Sequence, residues 1–172
     1  LWLHYNWLPV WDEPEPGQGV IQPFVFLRLA LETCSSVADV EQLLGNTVRD
    51  GGMGLFVADG KTNEFAVFEC TCTTHSKRVS AENFIAGANH YCSIPVPDEF
   101  RSESSVSRQA RMETLLRQQT LLTPEQAMKI LADPGVEQGN QYSGTVYANV
   151  VLPAQNRIWF VWDGYPAASQ GK

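Results

Sequence analysis

The sequence predicts a mixed α+β fold, because the spacing of its apolar residues changes character along the chain. Alternating, aromatic-rich runs open and close it, while two stretches of helical spacing follow the first run and two more precede the last. Turns marked by Gly, Pro, Asn and Asp separate these runs, so the order is strand, two helices, strands, two helices, strands. No repeat, low-complexity tract or linker interrupts it, and residues 1–172 are expected to form a single domain.

Each element follows from local chemistry. "LWLHYNWLPVW" alternates and reads as a strand ending near Pro9, and "DEPEPGQG" is a loop by composition. "VIQPFVFLRLALETC" sets Phe24, Leu27, Leu31 and Cys34 on one helical face, with Pro23 acceptable only in the first turn. Ser36 and Asp39 have capping-box spacing ahead of a second helix, "VADVEQLLGNTVRD", which Gly51 and Gly52 are expected to stop. "GLFVADGKTNEFAVFECTC" reads as a hairpin turning at Asp59 to Asn63, and "RVSAENFIAGANH" as a further strand. After a loop at 93–102, "SRQARMETLLRQQTLL" is helical, with Glu113 and Arg117 four apart. Thr123-Pro124-Glu125-Gln126 supplies an N-cap, a first-turn proline and a third-position Gln for a short helix to about Ala132. "GTVYANVVL", a turn at Pro153 to Asn156, and "RIWFVWDG" make a closing hairpin.

Composition removes several function classes. With 12 Lys and Arg against 19 Asp and Glu the net charge is −7, so no field draws a phosphate backbone and no nucleic-acid partner is expected. Apolar runs are far shorter than a membrane span, and a soluble protein is expected; its location is left open, with the cytoplasm slightly favoured. Four cysteines are too few for a disulfide scaffold. Cys70, Cys72 and His75 form C-x-C-x-x-H, a fragment of a zinc pattern, but thiols alternating on an apolar strand are expected to be small buried hydrophobes. "GGMG" at 51–54 lacks the spacing and lysine of a phosphate loop. No H-E-x-x-H or G-x-S-x-G occurs, and no metal or cofactor is called for.

Three polar positions ask for more than a structural account. Asn6, between Tyr5 and Trp7 in the first strand, and Asn89, at a strand end in "AGANHY", need hydrogen-bonding reasons because Asn suits strands poorly. Arg108, opening the helix after "SSVS", opposes the helix macrodipole and calls for an anion nearby.

"LHYNWLP", "GVIQPFVFLRLALE", "GLFVADGKTNEFAVFE", "AGANHY", "SSVSRQARMETLL" and "GTVYANVVLPAQNRIWFVWDGYP" resemble, in order, the later part of linear-amide N-terminal-nucleophile hydrolases. The resemblance is closest to acyl-coenzyme A:isopenicillin N acyltransferase (peptidase family C45) proteins and more distant to choloylglycine hydrolases and acid ceramidase-like amidases. It implies a four-layer αββα sandwich and an amino-terminal Cys that attacks a linear amide or thioester carbonyl, its own α-amine acting as base. Asn89 matches the Asn that donates to the tetrahedral oxyanion, although Ala88 stands where the family has Thr. Asn6 matches a second donor, and Arg108 an arginine that supports the nucleophile electrostatically. The resemblance puts Ser143 near a Ser-Arg pair that recognises substrate, though Gly144 follows it here, and Glu69 at a strand end as a structural acid. Arg111, one turn from Arg108, is an alternative for its role, and Tyr5 belongs to an aromatic run suited to an apolar acyl pocket.

Cys34, Cys70, Cys72 and Cys92 are internal, and an internal thiol has no free α-amine. In the family the nucleophile lies upstream of the strand bearing Asn6. The chain is therefore expected to be the later, larger portion of a longer enzyme, separated by truncation or processing from a companion segment that carries the Cys. The substrate expected is a small acyl amide or thioester, cleaved or transferred, with no cofactor. The alternative is a binding or structural module that keeps the fold without the nucleophile.

Overall fold

The computed structural model describes residues 1–80, 82–140 and 144–172. The chain divides into two compact units, Leu1–Ser105 and Val106–Lys172. Both are mixed α and β with antiparallel pairing, as the sequence predicts.

The first unit is built on four antiparallel strands in sequential order, β1 (Trp2–Leu8), β2 (Gly52–Ala58), β3 (Phe65–Cys70) and β4 (His75–Arg78). Because side chains alternate, one face carries Leu3, Tyr5, Met53, Leu55, Val57, Ala66, Phe68 and Cys70, which form the core with two helices, α1 (Pro23–Thr33) and α2 (Val37–Gly45). Helix α1 starts with Pro23 in its first turn, as expected, but the buried face is Phe26 and Ala30. Phe24 and Leu31 are exposed, at 70% and 53%. In "PFVFLRLAL" nearly every position is apolar, so periodicity alone does not choose the face.

Helix α2 has the reciprocal Ser36–Asp39 box and ends at Gly45, short of the glycines at 51 and 52. Thr47 and Arg49 explain the early stop. Arg49, fully buried, donates to the Leu44 and Thr47 carbonyls at 2.9 and 2.8 Å and to Thr71 and Thr74 carbonyls at 2.9 Å each, so it closes the helix end onto the 71–74 turn. Gly51, at φ 138, then makes the bend into β2, and "GGMG" is a strand entry rather than a helix stop.

The β2–β3 hairpin turns where expected. Asp59 accepts from Lys61 N and Thr62 Oγ1, and Asn63 adopts the left-handed conformation at φ 59. The next strand is misplaced in the sequence reading. β4 is the polar "HSKR", and residues 79–91, where described, run without a ladder. Lys77 shows why a polar strand is stable there: it covers the Phe68 ring at 5.8 Å and pairs with Glu41 of α2 at 3.0 Å.

A third helix, α3 (Glu103–Arg117), begins in the first unit and continues in the second. The second unit also holds α4 (Pro124–Leu131), a hairpin of β5 (Ala148–Leu152) and β6 (Arg157–Val161), and the short α5 (Ala167–Gln170). Thr123 and Gln126 form the predicted capping box, each such cap contributing about 1 kcal/mol. The hairpin turns at Pro153–Gln155, with Asn156 left-handed at φ 51. Among the described residues no helix is long and apolar enough to cross a membrane.

Candidate active site

The sheet face opposite the helices carries Trp2, His4 and Asn6 of β1, Phe56 of β2, Glu69 of β3 and Arg78 of β4. The segment 84–93 lies over it, held by side chains rather than a ladder. Gly87 makes the close approach possible, since a Cβ there would come within 2.5 Å of the Phe56 ring. Arg78 donates to Ala86 O at 3.1 Å. Asn6 Nδ2 donates to Ala88 O at 3.2 Å and reaches Gly87 O at 3.5 Å. Asn89 Nδ2 returns the bond, donating to Trp7 O at 2.9 Å.

The two asparagines singled out in the sequence are thus brought to one place. Asn6 is fixed further by His4, whose Nε2 lies 3.2 Å from Asn6 Oδ1. An amide oxygen only accepts, so His4 Nε2 is the donor and Asn6 Nδ2 is turned toward the 87–88 backbone. Burial lowers the His4 pKa and the bond to Asn6 partly opposes that, so the ring is a neutral donor near pH 7. His4 escaped the sequence reading; its signal was the i, i+2 spacing that puts it on the same strand face as Asn6.

Asn89 lies in irregular backbone rather than at the end of a strand. Its N–H donates to Ser105 Oγ at 2.6 Å, and the same oxygen is 2.8 Å from His90 Nδ1. Ser105 is fully buried in the first turn of α3. Glu69, 1% exposed, holds the far end of the segment: its oxygens accept from Cys92 N at 3.0 and 2.9 Å and from Ser93 N and Oγ at 2.8 Å each, while Arg78 pairs with it at 3.2 Å. The structural role expected for Glu69 is what this geometry gives it.

The remaining candidates are placed differently. Tyr5 lies on the helix side of β1, opposite Asn6, edge-on to Phe24 with ring centroids 5.3 Å apart. Arg108 does not open its helix: α3 starts five residues earlier, and Ser102 accepts from Ser105 N at 3.4 Å in the manner of an N-cap. Arg108 is therefore in the second turn, beyond the strongest opposition of the macrodipole, and its half-buried guanidinium has its pKa lowered by burial. It belongs to the second unit, whereas Asn6 and Asn89 belong to the first. Arg111 is committed to Asp133 in a two-pronged pair of 3.0 and 2.7 Å. Ser143 lies outside the described residues. Cys70 and Cys72 are buried hydrophobes, as expected, and burial pushes the Cys70 thiol up to about 12.

Residues 14–166 match the family model of acyl-coenzyme A:6-aminopenicillanic acid acyl-transferase. The chain belongs to this family. The matched span includes Asn89, Arg108 and Arg111, while Tyr5 and Asn6 precede it. Members of the acyl-transferase family are acyltransferases and hydrolases, which supports an enzyme of that general kind. No curated protein matches it. The second unit also contains a pocket of about 400 Å³ lined by Met128, Lys129, Ala132, Trp159 and Val161 among others.

Proposed function

We propose that the chain is the later part of a cysteine N-terminal-nucleophile amidohydrolase or acyltransferase acting on linear C–N amide bonds through a thioester acyl-enzyme. The fold of that enzyme is a four-layer αββα sandwich. The nucleophile is the terminal Cys of a companion segment or chain, its free α-amine taking the thiol proton as the sulfur attacks the acyl carbonyl. The tetrahedral oxyanion is stabilised by the Asn89 side-chain amide, with Asn6 as a second donor near the same oxygen, and collapse expels the amine, which takes the proton back. Water or an acceptor amine then attacks the thioester, giving hydrolysis or transfer.

The observation that supports this reading is the reciprocal bracing of Asn6 and Asn89, each side-chain amide donating to the backbone beside the other. Trp7 O fixes the plane of the Asn89 amide. Preorganised donors of this sort are what acyl transfer needs, because they require no reorganisation as charge develops. Arg108, if directed at the nucleophile, favours a thiolate there.

The test is an intact-mass and amino-terminal analysis of native material before and after a cysteine-directed electrophile. A companion chain that begins with Cys and carries the label on it supports the reading. Native material in which no terminal Cys takes the label leaves the alternative, a binding module without catalysis, which the apolar pocket beside Met128 and Trp159 favours.

A further inference from the structure

Cys92 and His90 flank Tyr91, whose ring is buried edge-on against Trp11 and whose hydroxyl lies 2.8 Å from Pro9 O and 3.0 Å from Cys70 O. With Tyr91 anchored inward, its two neighbours meet outside: Cys92 Sγ is 3.7 Å from His90 Nε2. The other ring nitrogen, Nδ1, is 2.8 Å from Ser105 Oγ, a buried hydroxyl already fixed by the Asn89 N–H. In the tautomer that donates Nδ1–H to Ser105, Nε2 is the acceptor facing the thiol. A nucleophile, a base within reach and a third group orienting the base are the parts of an activated thiol.

We propose that Cys92 is a thiol–disulfide exchange site, with His90 as its proton acceptor, that takes up low-molecular-weight disulfides of the glutathione class. The imidazole here supplies the base that an internal cysteine lacks from an α-amine. Sulfur, rather than an acyl carbon, is the fitting electrophile. The backbone N–H groups of Cys92 and Ser93 both donate to Glu69, so neither is directed at a tetrahedral oxyanion beside the thiol. Displacement at sulfur spreads its charge along three sulfurs and builds no oxyanion. The thiol is exposed, and its main chain is pinned at Glu69, whose negative charge is offset by Arg78 at 3.2 Å. Cys70 and Cys72 are buried, Cys34 half-buried.

The Cys92 S–H proton passes to His90 Nε2, and the thiolate attacks one sulfur of the disulfide. A Cys92–S–S–R bond forms as the original S–S bond breaks, its electron pair leaving on the second sulfur, which takes the proton from His90. Cys92 is oxidised to a mixed disulfide and the departing half is reduced to a thiol.

The experiment treats the full chain with oxidised glutathione from about pH 5.5 to about 9.5, spanning the ordinary histidine and thiol ranges, and follows each cysteine by intact mass and peptide mapping. The expected result is modification first at Cys92, with a neutral-pH rate about tenfold above that of free cysteine under the same conditions. His90→Ala loses that about tenfold advantage, while the rate at Cys34 in the same molecule does not move. Superimposable pH–rate profiles for wild type and His90→Ala overturn the proposal. Should that variant fail to fold, a wild-type Cys92 profile that follows free cysteine overturns it equally.

Discussion

Asn6 and Asn89 brace each other's backbone: the amide of Asn6 donates to Ala88 O at 3.2 Å, and that of Asn89 to Trp7 O at 2.9 Å. Each side chain thus holds the residue adjoining the other, joining β1 to irregular backbone without a ladder. The arrangement satisfies polar groups of a segment lying over a sheet and seats each side chain beside the other's backbone. Gly87 and His4 support it, one by omitting a Cβ over Phe56 and the other by orienting Asn6 Oδ1.

Glu69 is predicted to be the strongest single anchor of the site segment. Glu69→Ala removes the ion-pair partner of Arg78 and the acceptor for the N–H groups of Cys92 and Ser93, so it is expected to destabilise the chain by about 3–5 kcal/mol. Glu69→Gln, which keeps an acceptor oxygen, is expected to cost less. Urea unfolding measures both; a loss below about 1 kcal/mol for the alanine variant contradicts the anchoring role.

Asp12 gives the first unit a defined acid sensitivity. Burial alone raises its pKa, but hydrogen bonds from the Thr73 and Thr71 hydroxyls and from the Cys72 and Thr73 amides outweigh it, and the net shift is downward. A carboxyl with a depressed folded-state pKa stabilises fully above its unfolded value, about 3.9, and loses that contribution as pH falls through the folded value. The melting temperature of Asp12→Asn should therefore lie below wild type at neutral pH, with the gap closing below about pH 4. A gap independent of pH excludes this linkage.

What was legible in the sequence was local. The boxes at Ser36–Asp39 and Thr123–Gln126 and the turns ending at Asn63 and Asn156 are set by residues within a few positions of one another. What was not legible depends on partners far along the chain. The strand "HSKR" has no apolar pattern and is stabilised by Phe68 and Glu41. Arg49 in "NTVRD" carries no local signal of burial, yet it is buried because four backbone carbonyls converge on it. Asn6 and Asn89 stood out because asparagine in apolar strand-like runs demands a partner. His90 and Ser105 did not, because they become neighbours only after folding, and His4 did not although Asn6 lies two residues along the same strand face. The start of α3 was set too late for a local reason, the unrecognised cap at Ser102.

The measurement that most directly tests the central claim is the turnover of Asn89→Ala in the enzyme assembled with the proposed companion segment, on N-acyl 4-nitroanilide substrates. Removing an oxyanion donor is expected to lower kcat by about 100-fold or more, with KM little changed and the circular dichroism spectrum of the folded protein retained. Turnover equal to wild type in a folded Asn89→Ala enzyme contradicts the claim and leaves Asn6 and Asn89 as a brace for the 87–89 backbone alone.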